Sequence, residues 1–262
     1  MATSSKSPPI YTGSAESVFD QVVLTLSMIL QCDGELKAIY QKMDNKYEKE
    51  QATVTSRESG EEVLRPDRRR GSRHTFGADG VSLLEPMFLR MLCRDHKFAG
   101  LTIEKSHGDV LFYKKGDFFK WHRDTVPEEA PVPGAKYYTL LVGLLTTSAG
   151  GRTEICHDDE MVHSYRQSCT MGEYLFFPSE QRHCGQPIIE GYKMTLKMDF
   201  WVVDPPEESA GHCSCCRPTE NLPELYHSES EPESEPESES PELAEYSYSD
   251  EDDSWCNGWH LD

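Results

Sequence analysis

The chain lacks an apolar segment long enough to cross a lipid bilayer. Its most apolar stretch, QVVLTLSMILQ at residues 21–31, is short and includes polar residues, whereas a membrane-spanning helix needs about 20 consecutive apolar residues. The opening segment, MATSSKSPPIYTGS, is polar and does not have the apolar centre of a signal peptide. We therefore expect neither a membrane anchor nor a secretory leader.

Basic residues are also scarce. The sequence has 26 Lys and Arg against 46 Asp and Glu, a net charge of −20. From Glu207 onward there are seventeen acidic residues and one basic residue, which gives −16 and leaves −4 for residues 1–206. Proteins that bind nucleic acids present basic surfaces to the phosphates. Neither part of the chain therefore predicts a general nucleic-acid binder.

The nine cysteines are odd in number and scattered, which favours free thiols in a reducing, intracellular setting, either the cytoplasm or the nucleus. One cluster stands out, namely His212, Cys213, Cys215 and Cys216. It lacks a second pair of ligands at zinc-site spacing. The cluster could hold a metal ion or could be a flexible hinge between the domain and the tail. The absence of a second ligand pair favours the hinge.

Residues 206–262 form an acidic tail with almost no aliphatic residues, as in SESEPESEPESESPELAEYSYSDEDDS at 228–254. A segment of this composition buries too little apolar surface to offset the entropy of ordering it. We predict a disordered tail that acts as a solubilising spacer or docks an unknown partner. Its stretch at 249–253 resembles an acidic-directed kinase site.

Two segments carry the residues with the clearest chemistry. YKKGDFFKWHRDT, at 113–125, contains His122 and Asp124, and QRHCGQPIIEGYKM, at 181–194, contains His183 and Lys193. Alternate side chains of an extended strand point the same way, so His122 and Asp124 share a face. Two imidazoles and one carboxylate are the ligand set of non-haem Fe(II) oxygenases. The pattern predicts a metal site at His122, Asp124 and His183.

The surrounding sequence strengthens this interpretation, since an H-x-D motif by itself arises often by chance. The motif follows an aromatic strand, 110–113, and precedes an apolar run, 137–145, a Gly-Gly pair and a second aromatic strand, 172–178. Lys193 begins a segment in which apolar and polar residues alternate up to Val202. A lysine buried at that place needs an anionic partner, which the dicarboxylate 2-oxoglutarate would provide.

In this order the elements resemble the 2-oxoglutarate/Fe(II)-dependent dioxygenase superfamily, and within it the prolyl 4-hydroxylase branch, over about residues 83–203. The resemblance implies that His122, Asp124 and His183 are the catalytic iron ligands. It also implies that Lys193 binds the far carboxylate of the cosubstrate and that Tyr113 contacts the cosubstrate. Many relatives have Arg in place of Lys193, whereas the collagen-type prolyl hydroxylases have Lys.

The sequence departs from the family pattern at one place. A Tyr often follows the strand Thr by four residues, but here Thr139 is followed at that distance by Gly143. The far carboxylate would then depend more on Lys193, or on Tyr137 or Tyr138 in a shifted register. Lys197 is a further candidate for the same role.

The resemblance implies a mostly β fold, a double-stranded β-helix or jelly roll with supporting N-terminal α-helices. We expect a flexible N-terminus at 1–13 and a dioxygenase domain at 14–205, with helical support at about 14–98 and the jelly-roll core at about 99–205. Helical periodicity predicts helices over 17–31, 35–43 and 82–98. The polar segment 46–75, with Arg68, Arg69, Arg70 and Arg73, either contacts an acidic substrate or is a solvated loop, and we favour the loop.

The resemblance implies a hydroxylation that uses Fe(II), 2-oxoglutarate, O₂ and ascorbate. A relative with Ala or Gly in place of Asp124 could bind halide there, so the presence of Asp124 favours hydroxylation. A prolyl residue in a protein or peptide is the first choice of substrate. A lysyl residue or a small metabolite remains open. Nucleic-acid demethylation is disfavoured because no Arg pair follows Lys193 and the domain is not basic. A non-catalytic scaffold would be expected to have lost one of the ligands.

Overall fold

The structure is a computed structural model that describes residues 9–47, 51–55, 61–96, 98, 100–104, 107–128, 130–131, 133–145, 149–157, 161–165 and 170–203. The predicted acidic tail and the cluster from His212 to Cys216 lie outside the described residues.

The described residues form three helices and fifteen strands. The helices are α1 (Glu16–Leu30), α2 (Leu36–Tyr47) and α3 (Ala78–Asp95). The strands are β1 (Tyr11–Ser14), β2 (Val54–Thr55), β3 (Glu62–Val63), β4 (Ser72–Gly77), β5 (Gly100–Ile103), β6 (His107–Lys114), β7 (Phe119–His122), β8 (Lys136–Leu145), β9 (Ala149–Gly150), β10 (Thr153–His157), β11 (Met161–Tyr165), β12 (Glu173–Pro178), β13 (His183–Gly185), β14 (Ile188–Glu190) and β15 (Tyr192–Val203).

Two antiparallel sheets make the barrel. The larger has the order β1-β12-β8-β15-β6-β4, with β5 paired to the end of β15, and the smaller has the order β11-β10-β13-β7. Leu141, Leu175 and Phe177 of the larger sheet pack against Ile155 of the smaller one. This is a double-stranded β-helix with helical support, so the predicted fold class is confirmed for the described part of the chain.

Strand β15 lies at the centre of the larger sheet and is buried on both faces. Met194, Leu196, Met198 and Phe200 belong to the main hydrophobic core, which the three helices share. Thr195 and Asp199 alternate with them and are also buried. Because alternate side chains of a strand point to opposite faces, these polar residues lie inside the barrel. The alternation predicted from the sequence for this strand is present in the structure.

The helices cover the outer face of the larger sheet. Helix α1 buries Val18, Val22 and Leu26, as the periodicity predicts, and α3 buries Val81, Leu84 and Phe88. No helix among the described residues is both long and apolar enough to span a membrane.

Helix α3 differs from its predicted span of 82–98. It begins at Ala78 because Val81 continues the apolar stripe one turn earlier, and it ends at Asp95 because His96 has an extended backbone (φ −135°, ψ 130°). Pro86 therefore lies inside the helix, where its missing N–H removes one helical hydrogen bond.

Two further predictions need correction. The N-terminus predicted as flexible over 1–13 includes Tyr11, Thr12 and Gly13 of strand β1, which pairs with β12. The segment interpreted as a solvated loop contains β2, β3 and β4. That interpretation is wrong for Arg69 in particular, because its side chain is only 6% exposed. The exposed Arg68 and Arg70 agree with it.

The fold explains why residue 143 is a glycine. A Cβ built on Gly143 would lie 2.0 Å from the backbone oxygen of Thr170. We predict that Gly143→Ala lowers the free energy of unfolding by about 1–3 kcal/mol, because the backbone must move to admit a methyl group. Gly100→Ala is the control, since its Cβ would meet Val203 at an ordinary 3.4 Å. Denaturant unfolding of both variants measures the difference, and equal stabilities would contradict the steric explanation.

Candidate active site

Strands β7 and β13 bring the two predicted histidine ligands together. His122 pairs with His183, and Phe119 pairs with Gly185. Three steps along β7 thus correspond to two steps along β13, which defines a β-bulge in β7. The extra residue shifts the alternation of β7, so Phe119 and His122 share the inner face. Their rings stack with centroids 3.5 Å apart and an interplanar angle of 18°.

Asp124 completes the cluster. Its backbone N–H donates to the Ser179 carbonyl at 2.9 Å, which ties the end of β7 to the end of β12. Its Oδ1 lies 3.6 Å from His122 Nε2 and 3.8 Å from His183 Nε2. One ligand atom from each of the three residues lies within 4.8 Å of the others. The structure therefore brings together the three residues that the sequence predicted as metal ligands.

The hydrogen bonds of the imidazoles suit a metal ion. His122 Nδ1 lies 2.8 Å from the Lys120 carbonyl oxygen, and His183 Nδ1 lies 2.9 Å from that of Gln181. A carbonyl only accepts, so Nδ1 carries the proton and the Nε2 lone pair faces Asp124. Burial and the nearby His122 lower the pKa of His183 to about 4. Neutral imidazoles oriented by backbone carbonyls, with one carboxylate, fit Fe(II) or a similar divalent metal.

The second oxygen of Asp124 is held from the other side. Thr139 Oγ1 donates to Asp124 Oδ2 at 2.7 Å and also lies 2.7 Å from Ser179 Oγ. Lys197 Nζ is 3.8 Å from the same Oδ2. Burial opposes ionisation of Asp124, but Lys197 and the two histidines outweigh it and hold the pKa of this carboxyl well below its usual range. Asp124 thus presents Oδ1 to the two imidazoles.

Lys197 forms an ion pair inside the barrel. Its Nζ lies 2.7 Å and 2.8 Å from the two carboxylate oxygens of Asp199. Burial alone would lower the pKa of Lys197, but Asp199 and Asp124 outweigh this effect and raise it. The single ammonium therefore offsets part of the charge of two carboxylates beside the histidine pair. The sequence predicts Lys197 only as a substitute for Lys193, although Lys197 and Asp199 both lie on the polar side of the alternating strand.

Lys193 and Tyr113, the predicted cosubstrate residues, are neighbours across strands β15 and β6. Lys193 is only 5% exposed, and its Nζ donates to the Gly151 carbonyl at 2.9 Å. Gly150 and Gly151 have φ values of +78° and +73°, a conformation that glycine adopts without strain. The Gly-Gly pair that the sequence analysis noted thus shapes the turn whose carbonyl meets Lys193.

The two tyrosines considered as alternative contacts face opposite ways. Tyr138 packs in the outer hydrophobic core against Phe176, with ring centroids 4.9 Å apart, so the alternative that used Tyr138 is wrong. Tyr137 packs against Trp201 with centroids 4.7 Å apart. Burial, Asp199 and other acidic groups including Asp124 raise its pKa, which places Tyr137 near the cluster. Its role toward a cosubstrate stays a prediction.

The position of the absent family tyrosine is occupied by main chain. A Cβ at residue 143 would clash with the Thr170 carbonyl oxygen, and the Gly172 N–H donates to the Gly143 carbonyl at 2.9 Å. No larger side chain fits without movement of that loop. The departure seen in the sequence therefore has a steric cause.

A comparison with protein-family models agrees with this geometry. Residues 108–202 match the family model described as the 2OG-Fe(II) oxygenase superfamily. The matched segment includes His122, Asp124, His183 and Lys193. The resemblance proposed from the sequence is confirmed at this level. A comparison with curated proteins gave no match.

Several solved structures are similar to the chain. A prolyl-4-hydroxylase from Pseudomonas putida is 14% identical, with 75% of this chain and 92% of that chain covered and a TM-score of 0.44. A prolyl hydroxylase from Trichoplax adhaerens, in complex with a hypoxia inducible factor peptide fragment, is 16% identical, with 74% and 83% covered and a TM-score of 0.46. The collagen prolyl hydroxylase of Paramecium Bursaria Chlorella virus-1 is 15% identical, with 74% and 96% covered and a TM-score of 0.43. Likenesses this distant carry no information about substrate.

The hydrogen bond from Thr139 to Asp124 predicts an effect on metal affinity. Thr139→Val keeps the shape of the side chain but removes the donor that orients Asp124. We expect Co(II) affinity to fall by about ten- to a hundredfold, as is typical when a group that orients a metal ligand is lost. Competition with a chromophoric chelator measures it. Thr102→Val, at an exposed position of β5, is the control, and equal affinity in the two variants would contradict the orienting role.

The lowered pKa of His183 predicts how the stability of the metal-free protein depends on pH. Between the ordinary value of 6.5 and the folded value of about 4, the unfolded chain binds a proton at this residue that the folded chain does not bind. The free energy of unfolding therefore falls as pH falls through this window, by up to about 3 kcal/mol from this residue. We expect His183→Gln to flatten this part of the stability curve, measured by urea unfolding between pH 7 and pH 4. Parallel curves for the two proteins would show that His183 is not buried as a neutral ring.

Proposed function

We propose that the protein is an Fe(II)- and 2-oxoglutarate-dependent dioxygenase that hydroxylates a prolyl residue in a protein or peptide and releases succinate and CO₂. One observation carries the proposal: the cluster of His122, Asp124 and His183 shares the barrel interior with the buried Lys193. The match to the 2OG-Fe(II) oxygenase superfamily supports the reaction class. The prolyl specificity is the finer part of the proposal.

Each residue of the site has a distinct task in this proposal. His122, His183 and Asp124 Oδ1 would hold the iron on one side and leave the other side for cosubstrate and O₂. Bound Fe(II) supplies oxygen activation coupled to oxidative decarboxylation of 2-oxoglutarate, with ascorbate as the reductant that maintains it. Thr139 fixes the rotation of the Asp124 carboxylate, and Lys197 balances its charge.

Lys193 would bind the far carboxylate of 2-oxoglutarate. Its ammonium is buried and already donates to the Gly151 carbonyl, so one of its three protons is directed away from the ligand and the side chain is held in place. Tyr113, its cross-strand neighbour, would donate its phenolic hydrogen to the same cosubstrate. A lysine acts here as a point charge, whereas an arginine would form a planar fork.

The choice of a prolyl substrate rests on the sequence pattern that includes Lys193. A peptide is also supported by the surface next to the cluster. Arg123 is exposed, and the Arg182 guanidinium lies 5.3 Å from the ring centroid of the half-buried Trp121. These residues directly precede or follow the two histidine ligands in the chain. An aromatic and cationic surface of this kind suits a polypeptide with acidic residues better than a small neutral metabolite.

The proposal includes the rest of the predicted organisation. We place the catalytic domain at residues 14–205 and treat 206–262 as a tail that docks a partner or spaces the domain from one. We also propose an intracellular location, in the cytoplasm or the nucleus.

The proposed function is tested by following succinate formation with Fe(II), ascorbate and a panel of peptides that contain proline or lysine, with and without flanking acidic residues. We expect turnover that requires Fe(II), and incorporation of one oxygen atom into a prolyl peptide. His122→Ala, Asp124→Ala and His183→Ala should each abolish both, while thermal unfolding of the metal-free variants remains cooperative. Full succinate formation by His183→Ala would overturn the assignment of the iron ligands. Oxidation of lysyl peptides alone would overturn the prolyl specificity.

Lys193 yields a quantitative prediction. Lys193→Ala leaves the far carboxylate unpaired in a buried pocket, which costs about 2–5 kcal/mol, or roughly thirtyfold to several-thousandfold in affinity. The apparent affinity for 2-oxoglutarate should fall while Fe(II) affinity is unchanged, and Lys193→Arg should recover part of the loss. A 2-oxoglutarate titration at saturating iron measures this. An unchanged midpoint for Lys193→Ala would show that another group, such as Tyr137, holds the carboxylate.

A further inference from the structure

Residues 68–70 leave a turn and run beside strand β7. The Arg70 N–H donates to the Phe118 carbonyl and the Lys120 N–H donates to the Arg68 carbonyl, both at 2.9 Å, and Arg69 forms an isolated β-bridge with Phe119. Arg68 and Arg70 are exposed, whereas the Arg69 side chain is buried. Three consecutive arginines thus have two different environments.

Arg69 is a buried cation with an unusual set of partners. Its Nη2 donates to Tyr113 Oη at 3.2 Å, and its Nη1 donates to the Thr53 carbonyl at 3.3 Å. Its Nε has no hydrogen-bond partner. Among the described residues no carboxylate lies within ion-pair distance of it, although Arg69 helps to lower the pKa of the exposed Glu62 carboxyl. A buried charge whose counter-ion is distant and exposed is costly. A guanidinium in this position suits the neighbourhood of an anionic ligand.

Two contacts join Arg69 to the proposed active site. The first is the hydrogen bond to Tyr113, the cross-strand neighbour of Lys193. The second runs through Phe119. Its ring centroid lies 4.5 Å from the Arg69 guanidinium carbon and 3.5 Å from the ring centroid of His122. The adjacent main chain is packed tightly against Tyr113, because a Cβ on Gly71 would lie 2.7 Å from its ring. Arg69 therefore lies at the junction of the cosubstrate and metal halves of the site.

We propose that Arg69 is a positioning residue for the dicarboxylate cosubstrate and acts through Tyr113. A guanidinium only donates, so the phenolic oxygen of Tyr113 accepts from Arg69 and its hydrogen is directed elsewhere, toward the carboxylate that Lys193 holds. Nε and Nη2 lie on the same edge of the planar guanidinium, which leaves a second N–H beside the phenol for the same anion. This inference rests on the proposed function, and it adds a residue outside the iron-binding motif.

The test is calorimetric titration of 2-oxoglutarate into the full-length protein loaded with Mn(II), a readout that does not require turnover. We expect Arg69→Met to weaken 2-oxoglutarate binding by roughly ten- to a hundredfold, the range for a hydrogen bond to a charged group, and to leave Mn(II) affinity unchanged. Arg68→Met and Arg70→Met remove the same charge from exposed neighbouring positions and should bind as wild type does. Equal affinity of Arg69→Met and wild type for 2-oxoglutarate would overturn the inference.

A double-mutant cycle with Tyr113→Phe separates positioning from a general structural effect. If Arg69 acts through the phenol, the double variant should bind 2-oxoglutarate no more weakly than the worse single variant, within about threefold, because contacting residues are not additive. Fully additive losses would overturn the proposed route. Should Arg69→Met fail to unfold cooperatively, Arg69→Lys keeps a buried cation that reaches Tyr113 or Thr53 but not both. Several-fold weaker binding is expected for it, and wild-type affinity would overturn the inference. A wild-type protein that binds Mn(II) but no 2-oxoglutarate would instead overturn the proposed function.

Discussion

The barrel interior contains buried charges, and the need to pair them governs the arrangement of the site. Lys197 Nζ lies 3.8 Å from an Asp124 carboxylate oxygen and 2.7 Å from an Asp199 carboxylate oxygen. In these surroundings an unpaired charge is strongly unfavourable. Lys197 lies between the two carboxylates, and the single hydroxyl hydrogen of Thr139 is donated to Asp124 at 2.7 Å, with Asp199 farther away at 3.2 Å. As a result Asp124 has little freedom to rotate. The orientation of this candidate ligand thus depends on residues that are not themselves candidate ligands.

This arrangement is possible because strand β15 contributes side chains both to the hydrophobic core beneath the helices and to the interior of the barrel. Its apolar residues complete the core beneath the helices, and its polar residues line the barrel. The strand pairs along its length with β8 and with β6, so its register is fixed from both sides. A rigid larger sheet then supplies the charge network and Lys193, while the smaller sheet supplies both histidines. The metal cluster forms where the ends of the two sheets meet.

The sequence predicted the structure well where a local pattern of residues determines it. The alternation of β15, the apolar stripe of α1 and the spacing of His122 and Asp124 are local features, and the structure contains each of them. His183 lies far along the chain from both, and it was identified by the order of the family's elements. The predicted start of α3 was four residues late, because the apolar pattern was read from Leu83 and omitted Val81, which the helix buries. The face of Tyr138 depends on strand parity, which a shift by one residue reverses. Thr139 and Arg69 gain their roles from partners 15 and 44 residues away, and no local pattern reports contacts of that kind.

The bulge in β7 has a consequence for how this part of the chain tolerates changes in length. Phe119 and His122 share the inner face only because one residue between them is unpaired. A deletion of Lys120 or Trp121 would remove the extra residue and leave the two rings on one face, but it would shift the Lys120 main-chain groups that contact His122 Nδ1 and Arg68. An insertion of one residue at the same place would reverse the alternation and direct one of the two rings outward. A substitution at either position alters only a side chain and leaves the count intact. Along this strand, therefore, the number of residues is under stricter geometric control than their identity, and natural relatives that share the site should vary here in composition but not in length.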